Sequence, residues 1–359
     1  MPFQIIRNDI TKVKADAIVN TANPRPVIGS GTDSAIYAAA GEDQLLAERK
    51  KIGNIRPGCA ASTPAFNLDA KYIIHTVGPA WIDGSHGERE TLRSCYAQSL
   101  ALAAALACES IAFPMIATGV YGFPKDEALN IALAEIGRFL LTHEIKVILV
   151  VFDRKALELS KNLVGGITEY IDEHSVKALR EVEYGGGYAS NDRMRMDEER
   201  RIAAERRRLM EASVLEKEIL EESIALPSEA PFPDVAGKSL DEVLGGKEDT
   251  FQQRLFKLID ASGMDDVTVY KKANIDRKVF SRIRCKEDYK PKKKTAVAFA
   301  IALELDMPTM LDLLSRAEIA FSPSSKFDLI VSYFITNRNY DIFEINAALF
   351  KYGQPILGE

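Results

Sequence analysis

Cysteine and histidine are scarce in this chain, four of each in 359 residues. Cys59, Cys95, Cys108 and Cys285 form no C-x-x-C pair and do not cluster with the histidines. A disulfide framework and a zinc site are therefore not expected, and a reducing cytoplasm is the simplest home. Apolar runs of membrane length are lacking as well, so no membrane association is expected. The N-terminus lacks the basic-then-apolar layout of a signal peptide, and export is not expected either. A large excess of one charge is also missing. The 46 basic residues stand against 52 acidic ones, for a net charge of −6 that conceals a local asymmetry.

What is present describes an ordinary globular protein, 47% hydrophobic and 27% charged, with apolar mass for a sizeable core. The length suits two domains and a linker. The first half is organised around DAIVNTANPRPVIGSGTDSAIYAAAG (16–41). A buried strand (expected over 15–20) runs into polar Asn20 and Asn23, then a proline-broken, glycine-punctuated loop, and a helix opens at Thr32-Asp33. That order aims backbone N–H groups and a helix dipole at one place, where an anion can sit. A second loop, ATGVYGFP (117–124), also follows an apolar strand and precedes a helix. Two such loops can hold a diphosphate.

Strands are expected at 3–7, 15–20, 60–66, 71–76, 111–116 and 146–152, and helices at 33–40, 42–51, 88–108, 125–142 and 156–171. Alternating strands and helices, with several strands apolar throughout, indicate a mixed sheet covered on both faces. Ligands of such layers bind beyond the carboxyl ends of the strands, where both glycine loops and Asp153 fall.

The motifs NDIT (8–11), DAIVNTAN (16–23), GSGTD (29–33), HTVGP (75–79), ATGVYGFP (117–124) and VVFD (150–153) occur in one order. In them the chain resembles the macro domain, an α/β/α three-layer module that binds ADP-ribose, over roughly residues 1–172. The resemblance points to the MacroD-like branch, whose members remove mono-ADP-ribose from acidic side chains or deacetylate O-acetyl-ADP-ribose. It implies that Asp9 accepts the adenine amino hydrogen bond, that the Ile10 N–H reads a ring nitrogen, and that Phe152 stacks on adenine. An N-cap would suit Asp9 equally. Asn20, Gly29, Ser30 and Gly31 would line the phosphates and distal ribose, and Thr118, Gly119, Val120, Tyr121 and Gly122 the opposite side. Asn23 and Asp33, at the family spacing, would be the catalytic pair. Asn23 would bond the distal ribose, and Asp33 would orient or deprotonate a water, with a diphosphate oxygen sharing the base role. ADP-ribose is then ligand or substrate moiety, with no further cofactor and no metal. Pro24, Arg25, Pro26, Ile28, Ser30 and Tyr37 depart from the family pattern, and a reader that binds without turnover is the alternative.

Beyond residue 174 the composition changes. A YGGGY break (184–188) precedes an Arg- and Glu-dense stretch (191–222), which reads as an exposed connecting helix, with a dimerising coiled coil as the alternative. The domain boundaries are expected at 1–175, a charged helical linker at 176–245 and an all-α domain at 246–359. Residues 250–317 resemble the phage-repressor (Cro-type, XRE-like) helix-turn-helix class. Asn274 would be the turn residue and 277–284 the recognition helix, presenting Arg277, Lys278, Ser281 and Arg282 to DNA. The basic run from Lys271 to Lys294 is the local asymmetry noted above. Such domains usually act as homodimers. A protein-binding helical domain is the alternative, as is a sensor in a toxin–antitoxin or phage-defence setting. Two final helices (326–336 and 341–350) suggest only packing or dimer contact.

Overall fold

Side-chain alternation along the strands sets the layers. The computed structural model describes residues 2–151, Ile167 and 249–358. Its strands β1 (Phe3–Arg7), β2 (Ala17–Thr21), β3 (Ala60–Pro64), β4 (Tyr72–Thr76), β5 (Ser110–Phe113) and β6 (Lys146–Val151) form one sheet in the order β1-β6-β5-β2-β4-β3. β3 pairs antiparallel with β4, and every other neighbouring pair is parallel. Val19, Ile111, Phe113, Val147 and Leu149 share a core with α3 (Glu88–Ala105) and α4 (Lys125–Leu140). Their chain neighbours Ile18, Ala112, Ile148 and Val150 join a second core with α1 (Thr32–Ala40) and α2 (Glu42–Ile52). One residue step turns a strand side chain to the other face, so a mixed sheet lies between two helical layers.

Some element ends differ from expectation, for local reasons. β2 begins at Ala17 rather than Ala15 because Asp16 serves as an anchor. Its carbonyl accepts from Lys71 N and Tyr72 N, and its carboxylate from Glu109 N at 2.7 Å. α3 stops at Ala105 because Ala107 turns left-handed (φ 53°) and Cys108 N bonds back to Ala103 O. The helix expected at 156–171 (apart from Ile167), Phe152 and Asp153, and the connecting helix with the whole 176–245 linker lie outside the described residues.

The C-terminal region is all helix: α5 (Phe251–Ser262), α6 (Asp266–Lys272), α7 (Arg277–Cys285), α8 (Lys293–Ala302), α9 (Met307–Ser315), α10 (Lys326–Thr336) and α11 (Ile342–Lys351). A capping box between Thr250 and Gln253 starts α5, and Asp265, Asp276, Asp306, Ser325 and Asp341 cap later helices through their side chains. Asn274 adopts the left-handed conformation expected of the residue between α6 and α7 (φ 53°). Phe280 and Ile283 of α7 are buried, while Arg277, Lys278, Ser281 and Arg282 are exposed.

This helical region packs directly on the α/β layer, within one compact unit. α11 lies against α4 and β1. Phe343 meets the Phe3 ring edge-on at 5.2 Å, and a Cβ on Gly137 of α4 would sit 3.0 Å from the same Phe343 ring. Tyr270 donates to Glu144 Oε1 at 2.9 Å, and Lys271 Nζ to Leu141 O at 3.2 Å. The last two helices, for which the sequence offers packing or dimer contact, are used here for packing.

Candidate functional site

Because β1, β6, β5, β2 and β4 are mutually parallel, the segments that follow them emerge at one end of the sheet. The sequence-predicted residues of the α/β layer that fall in the described structure sit on these segments, except Asn20, which lies near the end of β2. After β1, Asp9 caps a short 3-10 turn (Ile10–Lys12). Its Oδ1 accepts from Thr11 N at 3.0 Å and from the Thr11 hydroxyl at 2.8 Å. Those bonds hold its carboxyl below the usual carboxylate range. Asp9 is therefore a cap, and its Oδ2 has no hydrogen-bond partner among the described residues. The Ile10 side chain is buried.

After β2, the chain turns through Asn23, whose Oδ1 accepts from Arg25 N at 3.0 Å. Half-buried Ile28 packs on the α1/α2 core, anchoring the loop where the family resemblance leads one to expect glycine. Gly31 then caps α1 with φ 65°, a conformation an L-residue resists. Asp33, in the first turn of α1, is 2% exposed. Its Oδ2 accepts from Gly29 N at 2.5 Å and its Oδ1 from Asn20 Nδ2 at 2.6 Å. A Cβ on Gly29 would lie 3.0 Å from that Oδ2, which is why this loop approaches the carboxylate so closely. With Gly29 so engaged, the N–H groups of Ser30, Gly31, Thr32 and Asp33 have no acceptor among the described residues.

After β5, the loop closes on itself. Ala117 is left-handed (φ 63°), Phe123 N bonds Ala117 O at 3.0 Å and Gly122 N bonds Gly119 O at 3.0 Å. The Thr118 hydroxyl donates to Met115 O at 3.0 Å. Tyr121 O accepts from Trp81 N, tying this loop to the segment after β4. The N–H groups of Thr118, Gly119, Val120 and Tyr121 are left without a described acceptor, and the Val120 side chain is 83% exposed. β2 and β5 are neighbours, so two rows of unpartnered N–H groups flank one sheet end.

Behind Asp33 runs a buried polar chain that sequence reading did not assemble. Asn20, fully buried, gives its amide to both Asp33 and His75 Nδ1 (3.1 Å). His75 Nε2 lies 3.0 Å from the Thr63 hydroxyl. Burial, with the Arg49 charge adding, lowers His75 to about 3, so the ring is neutral. Nδ1 then accepts from Asn20 and Nε2–H donates to Thr63. Asn20 Oδ1 has no hydrogen-bond partner among the described residues. Burial raises the Asp33 carboxyl above its ordinary range, against the Gly29 N–H, the Asn20 amide and the Arg49 charge. Burial and the Asp33 charge push buried Tyr37 up to about 12. The structure thus joins Asp33 to Asn20 and Gly29, while no hydrogen bond joins it to Asn23, which half-buries at the far end of the same loop. Helix phase was the available signal for Arg49, since Leu45 and Arg49 stand one turn apart on α2 and both are buried.

One further cluster brings Asp83, His86 and Glu88 donor atoms within 4.8 Å of one another. Glu88 is saturated by the chain instead. Burial works against its ionisation, but N–H groups of Glu88, His86, Gly84 and Ile82 bring its carboxyl down to about 2. It is a loop anchor. No helix among the described residues is long and apolar enough to cross a membrane.

A mixed sheet between helical layers, with two N–H-lined loops and a buried carboxyl at one sheet end, defines an α/β/α module. The macro domain family matches residues 19–132. A macro domain-containing protein of Mesorhizobium japonicum is 43% identical over 167 residues, which cover 46% of this chain and 94% of that protein. An O-acetyl-ADP-ribose deacetylase of Klebsiella pneumoniae is 44% identical over 167 residues, 45% of this chain and 95% of its own. A solved Oceanobacillus iheyensis macrodomain with ADP aligns at 38% identity over 42% of this chain and 84% of its own, with TM-score 0.41. The chain belongs to the macro domain family through its N-terminal half.

Proposed function

We propose that this protein binds ADP-ribose across the ends of β2 and β5 and hydrolyses an ester on its distal ribose. The observation that carries the reading is the pair of unpartnered N–H rows, 30–33 and 118–121, that follow adjacent strands. A diphosphate supplies acceptors for both, and the start of α1 adds its dipole. The relatives named O-acetyl-ADP-ribose deacetylase support ester chemistry on ADP-ribose. Adenine would lie toward β1, its amino group on the Oδ2 of Asp9 and a ring nitrogen on Ile10 N–H, with Phe152 stacking.

The distal ribose would reach the Asn23 end of the loop. Water would add to the acyl carbonyl, its proton passing to a diphosphate oxygen. The ester C–O bond then breaks and the departing ribose oxygen takes that proton back, leaving a free carboxylic acid and the ribose hydroxyl. Asp33, with both oxygens engaged in this structure, would shape the loop and share the proton only if the bound ligand frees an oxygen. Removal of mono-ADP-ribose from acidic side chains is the same chemistry on a protein ester.

Release of acetate from O-acetyl-ADP-ribose, and of ADP-ribose from a glutamate-modified protein, tests this in wild type, Asn23→Ala and Asp33→Ala. Calorimetry with free ADP-ribose runs alongside. Turnover that collapses in folded variants is expected. Tight binding by wild type without any turnover would instead make the protein a reader or sensor.

A second reading concerns the helical region. Arg277, Lys278 and Arg282 are exposed on α7 beside Ser281, and their side chains have no ion-pair partner among the described residues. That face supports DNA binding, as a homodimer if it follows the resembling class, over a protein-binding role.

A further inference from the structure

The buried face of α2 carries a cation. Arg49 is 1% exposed, and no described carboxylate stands within ion-pair distance of it. Its guanidinium donates to main-chain carbonyls instead: Nη2 to Asn23 O at 3.2 Å and Pro24 O at 3.3 Å, and Nη1 to Gly53 O. A buried guanidinium held only by carbonyls is costly and demands a compensating role.

The geometry supplies one. Arg49, together with the Ile55 N–H at 2.9 Å from Pro24 O, grips the start of the loop that follows β2. Asp33, through Gly29 N–H, grips its finish. A buried guanidinium and a buried carboxyl thus hold one loop from its two ends. Asn20 of β2, Tyr37 of α1, Arg49 of α2 and the Gly29 N–H surround Asp33, and His75 of β4 stands behind Asn20. Tyr37 titrates near 12 and His75 near 3, so both are neutral at pH 7. Arg49 is then the charge that faces Asp33 among the described residues.

We infer that Arg49 is a positioning residue for this site: it fixes the Asn23–Pro24 main chain that carries the Asn23 amide, and it sets a buried cation at the opposite end of the loop that Asp33 holds. The inference rests on the proposed ADP-ribose reading for its functional consequence, while its physical content is independent of any ligand.

Full-length Arg49→Gln and Arg49→Lys are compared with wild type in three measurements. These are carbon-13 titration of the Asp33 carboxyl, ADP-ribose calorimetry, and the pH profile of acetate release from O-acetyl-ADP-ribose. Arg49→Gln removes the charge, so the Asp33 titration and the acidic limb of the profile move upward. kcat falls on the order of a hundredfold as the loop loses its hold. Arg49→Lys keeps the charge but loses the planar fork, so the titration stays while ADP-ribose affinity falls and KM rises.

An unchanged Asp33 titration in folded Arg49→Gln overturns the inference. If that variant does not fold, Arg49→Lys decides: a shifted titration with the charge retained, or wild-type affinity, overturns it. A wild-type protein that neither binds ADP-ribose nor releases acetate sinks the functional reading instead, and the carboxyl titration still judges Arg49.

Discussion

The side chain of Asn274 engages both main-chain polar atoms of Phe3: Oδ1 accepts from Phe3 N at 2.8 Å, and Nδ2 donates to Phe3 O at 3.1 Å. β1 is an edge strand, and one buried amide from the helical region completes its ladder there as a neighbouring strand would. The same Nδ2 reaches Leu357 O at 3.3 Å, and Leu357 is held in turn by Asn346 at 2.6 Å. The chain's last turn, the helical region and the sheet edge therefore meet at one residue.

Asn274→Ala should lower the stability of the whole described unit by roughly 3 kcal/mol, because it leaves buried Phe3 N–H and C=O groups unpaired. Asn274→Gly relieves the left-handed backbone but removes the amide, so it should be nearly as damaging. Urea melts read both. A glycine variant as stable as wild type would mean that backbone strain, not the amide, decides this site.

The layers were legible because their periodicities are strong. The apolar runs of β5 and β6 and the alanine-rich α3 announce themselves within a few residues of their ends. Asn274 was legible as a turn residue, since its left-handed tolerance is a local property. Its grip on Phe3 was not, because a contact spanning 271 positions leaves no local trace. In the site, the glycine loops were read from composition, whereas the Asn20–His75–Thr63 chain depends on strand register. His75 lies opposite Asn20 in β4 and beside Ala61 in β3, a pairing no single segment reveals. Asp33 could be placed at a helix start from sequence, but its burial follows from how closely Gly29 folds over it.

His75 sets a pH dependence. Its folded value near 3 lies below the ordinary 6.5, so below pH 6.5 the unfolded chain takes up a proton that the folded one refuses. Its contribution is thus fully favourable above that pH and fades as pH falls toward 3, at about 1.4 kcal/mol per unit. His75→Gln should destabilise the protein at pH 7, and the gap to wild type should close by about that slope down to pH 5. Parallel stability curves for the two proteins would show that the ring is not buried neutral.

Gly29→Val places a side chain where 3.0 Å separates a Cβ from Asp33 Oδ2. The loop must retreat and the short Gly29 N–H bond to Asp33 must lengthen, spreading the N–H row that follows. Affinity for ADP-ribose should drop by about tenfold or more, since a donor row displaced by a fraction of an ångström loses charge-assisted bonds of about 1.5–3 kcal/mol each. Calorimetry reads the change, and thermal melting checks that the fold survives. Unaltered affinity would remove the 30–33 row from the binding site.

On α7 the test is salt. Arg284 already pairs with Asp266 and Lys290 with Glu318, so those cations are partly spent within the protein. Arg277, Lys278 and Arg282 are not, and helical spacing leaves Lys278 and Arg282 on the side away from buried Phe280 and Ile283, with Arg277 at its flank. If this face grips phosphates, Arg277→Ala with Arg282→Ala should weaken binding to duplex DNA and reduce the slope of log K against log salt by about 2, one contact for each arginine. Equal losses on all sequences would assign them to the backbone, and a loss confined to one sequence to base edges. A double variant whose gel mobility shift and salt slope match wild type would leave α7 as a protein-facing surface. The exposed Ser281 between the two arginines would then be the first position to probe for partner contact.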